Sequence, residues 1–168
     1  MANLKNIRSQ IKSVTSIQKV TKAMKMVAAA KLRKSQENME KGRPYSNRIK
    51  DLISNLIDDV DNSLLPLLNK PKNIKKHGLI IITADRGLAG SFNSNIIKKA
   101  ENIIDEIGHE NCLLFCVGKK GYEYFSKRQF NVVEYYEDLW TALNYNKAIN
   151  LGQNIIEYFS NHKVDRVD

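Results

Sequence analysis

Along the first third of the chain, apolar side chains recur at Leu4, Ile7, Ile11, Val14, Ile17, Val20, Met24 and Val27, with polar residues between them. Steps of three and four are the rhythm of one face of a helix, whereas a strand would alternate every two residues. The mean spacing is near the repeat of a coiled-coil seam, with one stammer between Val14 and Val20. Ala28 to Lys34 are strong helix formers, and the apolar rhythm resumes at Ile49, Leu52, Ile53, Leu56, Ile57 and Val60. Gly42 and Pro44 interrupt it. The pattern allows two helices with a turn at Gly42–Pro44, and favours one bent helix because helical spacing returns at once after Pro44. Such a helix, ending near Asp58–Ser63, is roughly 85 Å long at about 1.5 Å per residue. A domain of this size needs no such rod for its own core, so the rod has to meet another long helix, enter another protein or lie on a surface.

Beyond a Pro-containing connection the pattern changes. Gly78–Asp85 is a continuous apolar run, as expected for a strand covered on both faces. A glycine turn follows, and then Asn95–Gly108 carries apolar residues at 96, 97, 100, 103, 104 and 107, with Gly108 placed to cap the helix. Cys112–Gly118 reads as a second buried strand, Lys119–Arg128 as a short helix or turn, Gln129–Tyr136 as a third strand, Asn146–Asn161 as a helix, and Val164–Asp168 as the start of a fourth strand. Alternating strands and helices imply a mainly parallel sheet with right-handed crossovers. The expected fold class is therefore α/β. A long N-terminal coiled-coil helix (1–61) and a linker (62–76) precede a Rossmann-like domain (77–168) that is incomplete at its C-terminal end. A chain stopping inside a strand reads as a piece of a longer protein.

Charge sharpens the division. The net charge of +9 is unevenly spread. Residues 1–50 carry 13 Lys or Arg against two acids, Glu37 and Glu40, whereas the remainder is slightly acidic. The positive charge thus belongs to the rod, and it points to an acidic partner: nucleic acid, an anionic membrane surface or an acidic protein surface. No run of apolar residues is long enough to span a bilayer. The N-terminus lacks an apolar signal core, and the protein reads as made and used in the cytoplasm. Cys112 and Cys116, four apart on a strand, share one buried face. Their extended spacing is too wide for a disulfide, and too few ligands surround them for zinc.

The turn Thr83–Asn93 is the one loop with chemical promise, because it follows the first strand and opens a helix, where doubly wound folds bind phosphate. Its glycines, Gly87 and Gly90, do not form the dinucleotide fingerprint, and no P-loop lysine follows. Asp85 and Arg86 have the chemistry of an acid and an anion clamp, but capping the turn and pairing with each other or a neighbour is the more economical use. His77, His109 and His162 lie at element ends without ligand spacing and read as surface residues. Ser91 lacks an identifiable base. The aromatic residues Tyr122, Tyr124, Phe125, Tyr135, Tyr136 and Trp140 could stack bases, yet core packing explains them as well. No catalytic site, cofactor site or metal site emerges.

The segment Ile7–Gln36, including QKVTKAMKMVAAAKLRKSQ, resembles the N-terminal signature of the gamma subunit of F-type ATP synthases. Arg43–Ile49 resembles the family's next helical stretch, and Ala84–Ile96 its strand-turn-helix motif, with Ala89 where many members carry Cys. The likeness covers the whole chain in order. It implies a rotor shaft: an N-terminal helix paired antiparallel with a long C-terminal helix, filling the cavity of a ring of alpha and beta subunits. The α/β domain would sit at the foot against the epsilon subunit and the c-subunit ring, on the cytoplasmic face of a bacterial membrane. Proton flow would turn the shaft and drive ATP synthesis, the subunit itself doing no bond chemistry and holding no cofactor.

On this reading the contacts with alpha and beta fall to Lys19, Lys22, Met24, Lys25, Lys31, Arg33 and Lys34, although a solvated face accounts for each lysine equally well. Met24 and Met26 offer an adaptable apolar surface. The long C-terminal helix is absent from this sequence, which leaves the seam unpaired and predicts a frayed or aggregation-prone helix in the isolated chain. Two rival classes remain. A basic nucleic-acid-binding α/β protein explains the charge but not the apolar seam. A small nucleotide-dependent enzyme explains the α/β part but needs a fingerprint that this loop lacks.

Overall fold

The computed structural model describes residues 3–56, 67, 71, 73–139 and 144–168. The chain divides into two compact units, Met1–Val60 and Asp61–Asp168. The first contains one α-helix, α1, Leu4–Leu56, 53 residues long with Pro44 inside it. Of the two arrangements that the sequence allows at Gly42–Pro44, the uninterrupted helix is the one observed. No residue of α1 is buried, and its apolar stripe from Leu4 to Val27 is exposed throughout. Thr15 and Thr21 fold their hydroxyls back, each donating to the carbonyl four residues earlier at 2.8 Å. The expected helix end beyond Leu56 and most of the connection fall outside the described residues, as does Trp140.

The second unit is an α/β sandwich. Its elements are β1 His77–Ile82, α2 Phe92–Ile107, a short 3-10 turn His109–Asn111, β2 Cys112–Val117, α3 Lys119–Ser126, β3 Val132–Tyr136, α4 Tyr145–Ser160 and β4 Arg166–Val167. All pairings are parallel, in the order β3-β2-β1-β4. α2 begins three residues earlier than its apolar pattern indicated, and Lys119–Ser126 is a true helix rather than a turn. At the end of α2, Gly108 takes φ +96 and its amide donates to the Ile104 carbonyl, the capping role expected of it.

Strand alternation separates two faces. Leu79, Ile81, Cys112, Leu114 and Cys116 point to one side, where they bury Ala100 and Ile104 of α2 and Phe125 of α3. Phe115 points to the other side and meets Tyr158 of α4 edge-on, 5.0 Å between ring centroids. The two cysteines share the first face, as the spacing predicted, and both are free and buried. Burial pushes the Cys116 thiol up to about 12, so it stays protonated and inert. His77 departs from the surface reading. It is half-buried at the start of β1, and its Nδ1 is buried without a hydrogen-bond partner, 3.8 Å from a carboxylate oxygen of Asp168.

Candidate interaction surfaces

The Thr83–Ser91 loop is built to hold a neighbouring helix. Four consecutive amides open α3, and each has an acceptor supplied by a strand end. Gly118 donates to the Tyr136 carbonyl at 3.0 Å, Lys119 to Asp85 Oδ1 at 2.9 Å, Lys120 to the Ala84 carbonyl at 3.1 Å and Gly121 to Thr83 Oγ1 at 2.8 Å. These are the donors that a helix start leaves unpaired and that an anion would otherwise seek. Asp85 is therefore a helix cap that reaches across from β1 to α3. It caps no turn of its own and does not pair with Arg86. Thr83 is 1% exposed and its amide donates to the Val117 carbonyl at 2.8 Å, so the cap is anchored in the sheet. Asn93 Oδ1 accepts from the Ala84 amide at 2.9 Å and ties the loop to α2 as well.

Ala89 and Ser91 hold the first turn of α2 through their carbonyls, whereas Arg86 to Leu88 carry no such duty. Arg86 makes no hydrogen bond or ion pair among the described residues, Gly87 faces open space and Gly90 takes φ +58. Leu88 is wholly exposed with φ +59, a left-handed backbone that a leucine seldom adopts. Below it, α2 and α3 enclose a groove lined by Ile97, Lys98, Glu101, Lys120, Tyr124 and Arg128 among others. Tyr124 donates its hydroxyl to Glu101 at 2.6 Å, and Arg128 covers the Tyr124 ring at 3.7 Å. The bond to Glu101 raises the Tyr124 phenol above its ordinary value. Ser91 Oγ accepts from Asn95 Nδ2 at 3.3 Å, and no metal-holding cluster of His, Cys, Asp or Glu exists among the described residues.

Helix geometry sorts the seven candidate contact residues of α1. At about 100° of rotation per residue, Lys19, Lys22 and Arg33 share one face. Lys25 lies about 60° outside that face on one side and Lys34 about 60° outside it on the other. Met24 and Lys31 stand on the far side with Ile17, Val20 and Val27. Met24 thus belongs to the apolar seam and the first three cations do not. Arg33 is held to Glu37 at 3.1 Å, an exposed pair worth roughly 0–1 kcal/mol. Sequence reasoning missed Thr83 and Gly118, which carry the cap. The only signal for Thr83 was a lone polar residue closing an apolar strand.

The sequence model of the family described as ATP synthase matches residues 3–168. The chain belongs to this family. Among curated relatives, the ATP synthase gamma chain of Chloroherpeton thalassium is 41% identical over 172 residues, covering 99% of this chain and 57% of its own length. That of Chlorobium phaeobacteroides is also 41% identical and covers 99% of this chain and 59% of its own length. That of Salinibacter ruber is 40% identical over 164 residues, covering 95% and 53%. The chain therefore spans a little over half the length of these relatives. In a solved structure, the central stalk and c-ring of the mitochondrial ATP synthase of Tetrahymena thermophila, one chain matches with a TM-score of 0.64 at 24% identity. The match covers 81% of this chain and 58% of that one, and it shows that the fold is shared.

Proposed function

We propose that the chain acts as the shaft-bearing part of a central-stalk gamma subunit in a bacterial, membrane-associated ATP synthase. α1 enters the cavity of a ring of alpha and beta subunits. The α/β unit joins the epsilon subunit and the c-subunit ring at the cytoplasmic face of the membrane. Rotation driven by proton flow is transmitted through α1 to the ring, where ATP is made or hydrolysed. The chain holds no nucleotide and performs no bond chemistry.

One observation carries this reading: a 53-residue helix that buries none of its own residues yet displays an ordered apolar seam and a separate cationic face. A rod that only bound phosphate would need the cations and not the seam. A rod that only paired with a helix would not need so one-sided a charge. A shaft in a protein cavity uses both, and solvated ion pairs of about 0–1 kcal/mol can break and re-form as it turns.

The test is co-purification of the chain with alpha and beta subunits of a relative at about 50 and 300 mM salt, which shortens the Debye length from about 14 Å to below 6 Å. A stoichiometric complex at both salts, with ATP hydrolysis altered by the chain, is the expected result. Failure to form it at either salt, together with salt-sensitive retention of nucleic acid, would overturn the reading in favour of a basic binding protein.

A further inference from the structure

Six cations of α1, Lys5, Arg8, Lys12, Lys19, Lys22 and Arg33, fall within about 100° of one another around the helix when each residue turns by about 100°. They run straight along the rod for roughly 42 Å at about 1.5 Å per residue. No acid precedes Glu37, which closes the band by pairing with Arg33.

The apolar residues behave differently. Leu4, Ile7, Ile11 and Val14 gather on one side of the band, and Ile17, Val20, Met24 and Val27 on the other, so the stripe winds by roughly 140° between the two sets. A winding stripe cannot sink into a flat interface along its length. A straight row of cations can lie along a plane. On duplex nucleic acid, whose grooves complete a turn in about 34 Å, the same row would meet phosphates over only part of its length.

We propose that this cationic band adsorbs the unassembled chain onto an anionic bilayer surface, the lysine and arginine heads meeting lipid phosphates. The apolar seam from Ile17 to Val27, roughly a third of a turn away, stays free to take its partner. Attraction of this kind is confined to about a Debye length of the surface and weakens with salt. No insertion is involved, and no helix among the described residues is long and apolar enough to cross a membrane.

The experiment is co-sedimentation of the full chain with phosphatidylcholine vesicles containing or lacking about a third phosphatidylglycerol. Two double variants of equal charge change are compared at matched helicity: Lys12→Glu with Lys19→Glu, on the band, and Lys25→Glu with Lys31→Glu, off it. The expected result is binding to the anionic vesicles alone, falling about tenfold or more between roughly 50 and 300 mM salt. The on-band variant is expected to lose at least about tenfold in partitioning and the off-band variant less than about threefold, the surface potential acting within a Debye length. Equal losses in the two variants would show that net charge alone acts and would overturn the band. Tighter retention by duplex DNA at matched phosphate would overturn the lipid as occupant.

Discussion

Replacing Gly118 by Ala strikes the junction on which the α/β unit turns. Gly118 takes φ +97, and a Cβ built there would lie 2.1 Å from the Thr83 carbonyl oxygen, 2.7 Å from its carbon and 3.0 Å from its hydroxyl. Those atoms cannot retreat cheaply. The Thr83 amide is bonded to Val117 and its hydroxyl receives the Gly121 amide. The backbone strain alone costs about 1–3 kcal/mol. Displacing Thr83 gives up at least those two buried bonds at about 1 kcal/mol each. The sum is about 3–5 kcal/mol. In a unit of roughly a hundred residues each kcal/mol moves Tm by about 4–8 °C, so a fall of about 12 °C or more is expected. Thermal unfolding followed by tyrosine circular dichroism reads it. The matched control is Gly87→Ala, where a Cβ meets nothing, and it should shift Tm by no more than a few degrees. A Gly118→Ala protein that melts within about 3 °C of the parent would refute the account of the junction, since even the lower estimate exceeds that shift.

Further outcomes follow from the same packing. Thr83→Val keeps the shape but leaves the Gly121 amide without its acceptor, and it should cost about 1–3 kcal/mol in urea unfolding. Asp165 is held below the usual carboxylate range, first by the amide of Lys76, then by that of Lys75. Its folded value lies below its unfolded one, so the stability it adds is present above about pH 4 and is lost as pH falls through the folded value. Asp165→Asn should flatten the acid limb of stability against pH. Burial, with Glu137 and Asp85 nearby, pushes the Tyr135 phenol up to about 12. Tyr124, Tyr136 and Tyr158 are raised as well, so a titration followed at the phenolate band should be drawn out above the ordinary tyrosine range with Tyr135 among the last to ionise, and a single step near 10 would contradict this. Pro44→Ala restores an internal helix bond and should strengthen helix α1 by about 3 kcal/mol, seen as a rise in helical ellipticity of the chain.

Much of the fold could be read from periodicity because its elements are strongly patterned. Leu79 and Ile81, and Leu114 and Cys116, alternate inward, and Ile96 to Ile107 return every three or four residues. Boundaries were less legible. α2 starts at Phe92 because its first turn carries Asn93 and Ser94, polar residues engaged with the loop, so the apolar rhythm begins a turn late. The function of Asp85 was not legible at all. Its partner amide is 34 residues away on α3, and only the adjacency of parallel strands brings them together. His77 was misjudged for a similar reason: the pairing of β1 with β4 brings Asp168, the residue after β4, beside it. The place of Met24 on the apolar stripe was legible from spacing alone, because Lys19 to Lys34 precede Gly42 and are helical in both arrangements that the sequence allows.

The central claim is that the seam of α1 is covered when the chain works. The most direct measurement is the rate at which a maleimide labels Met24→Cys, with both native cysteines buried, in the free chain and in the purified complex with alpha and beta subunits. Met24 is 67% exposed in the chain alone. Labelling at least about tenfold slower in the complex is the predicted result, because a side chain on the seam is enclosed together with Ile17, Val20 and Val27. Equal rates in a stoichiometric complex would contradict the account, since the rod would then be bound by its charges while its seam remained in water.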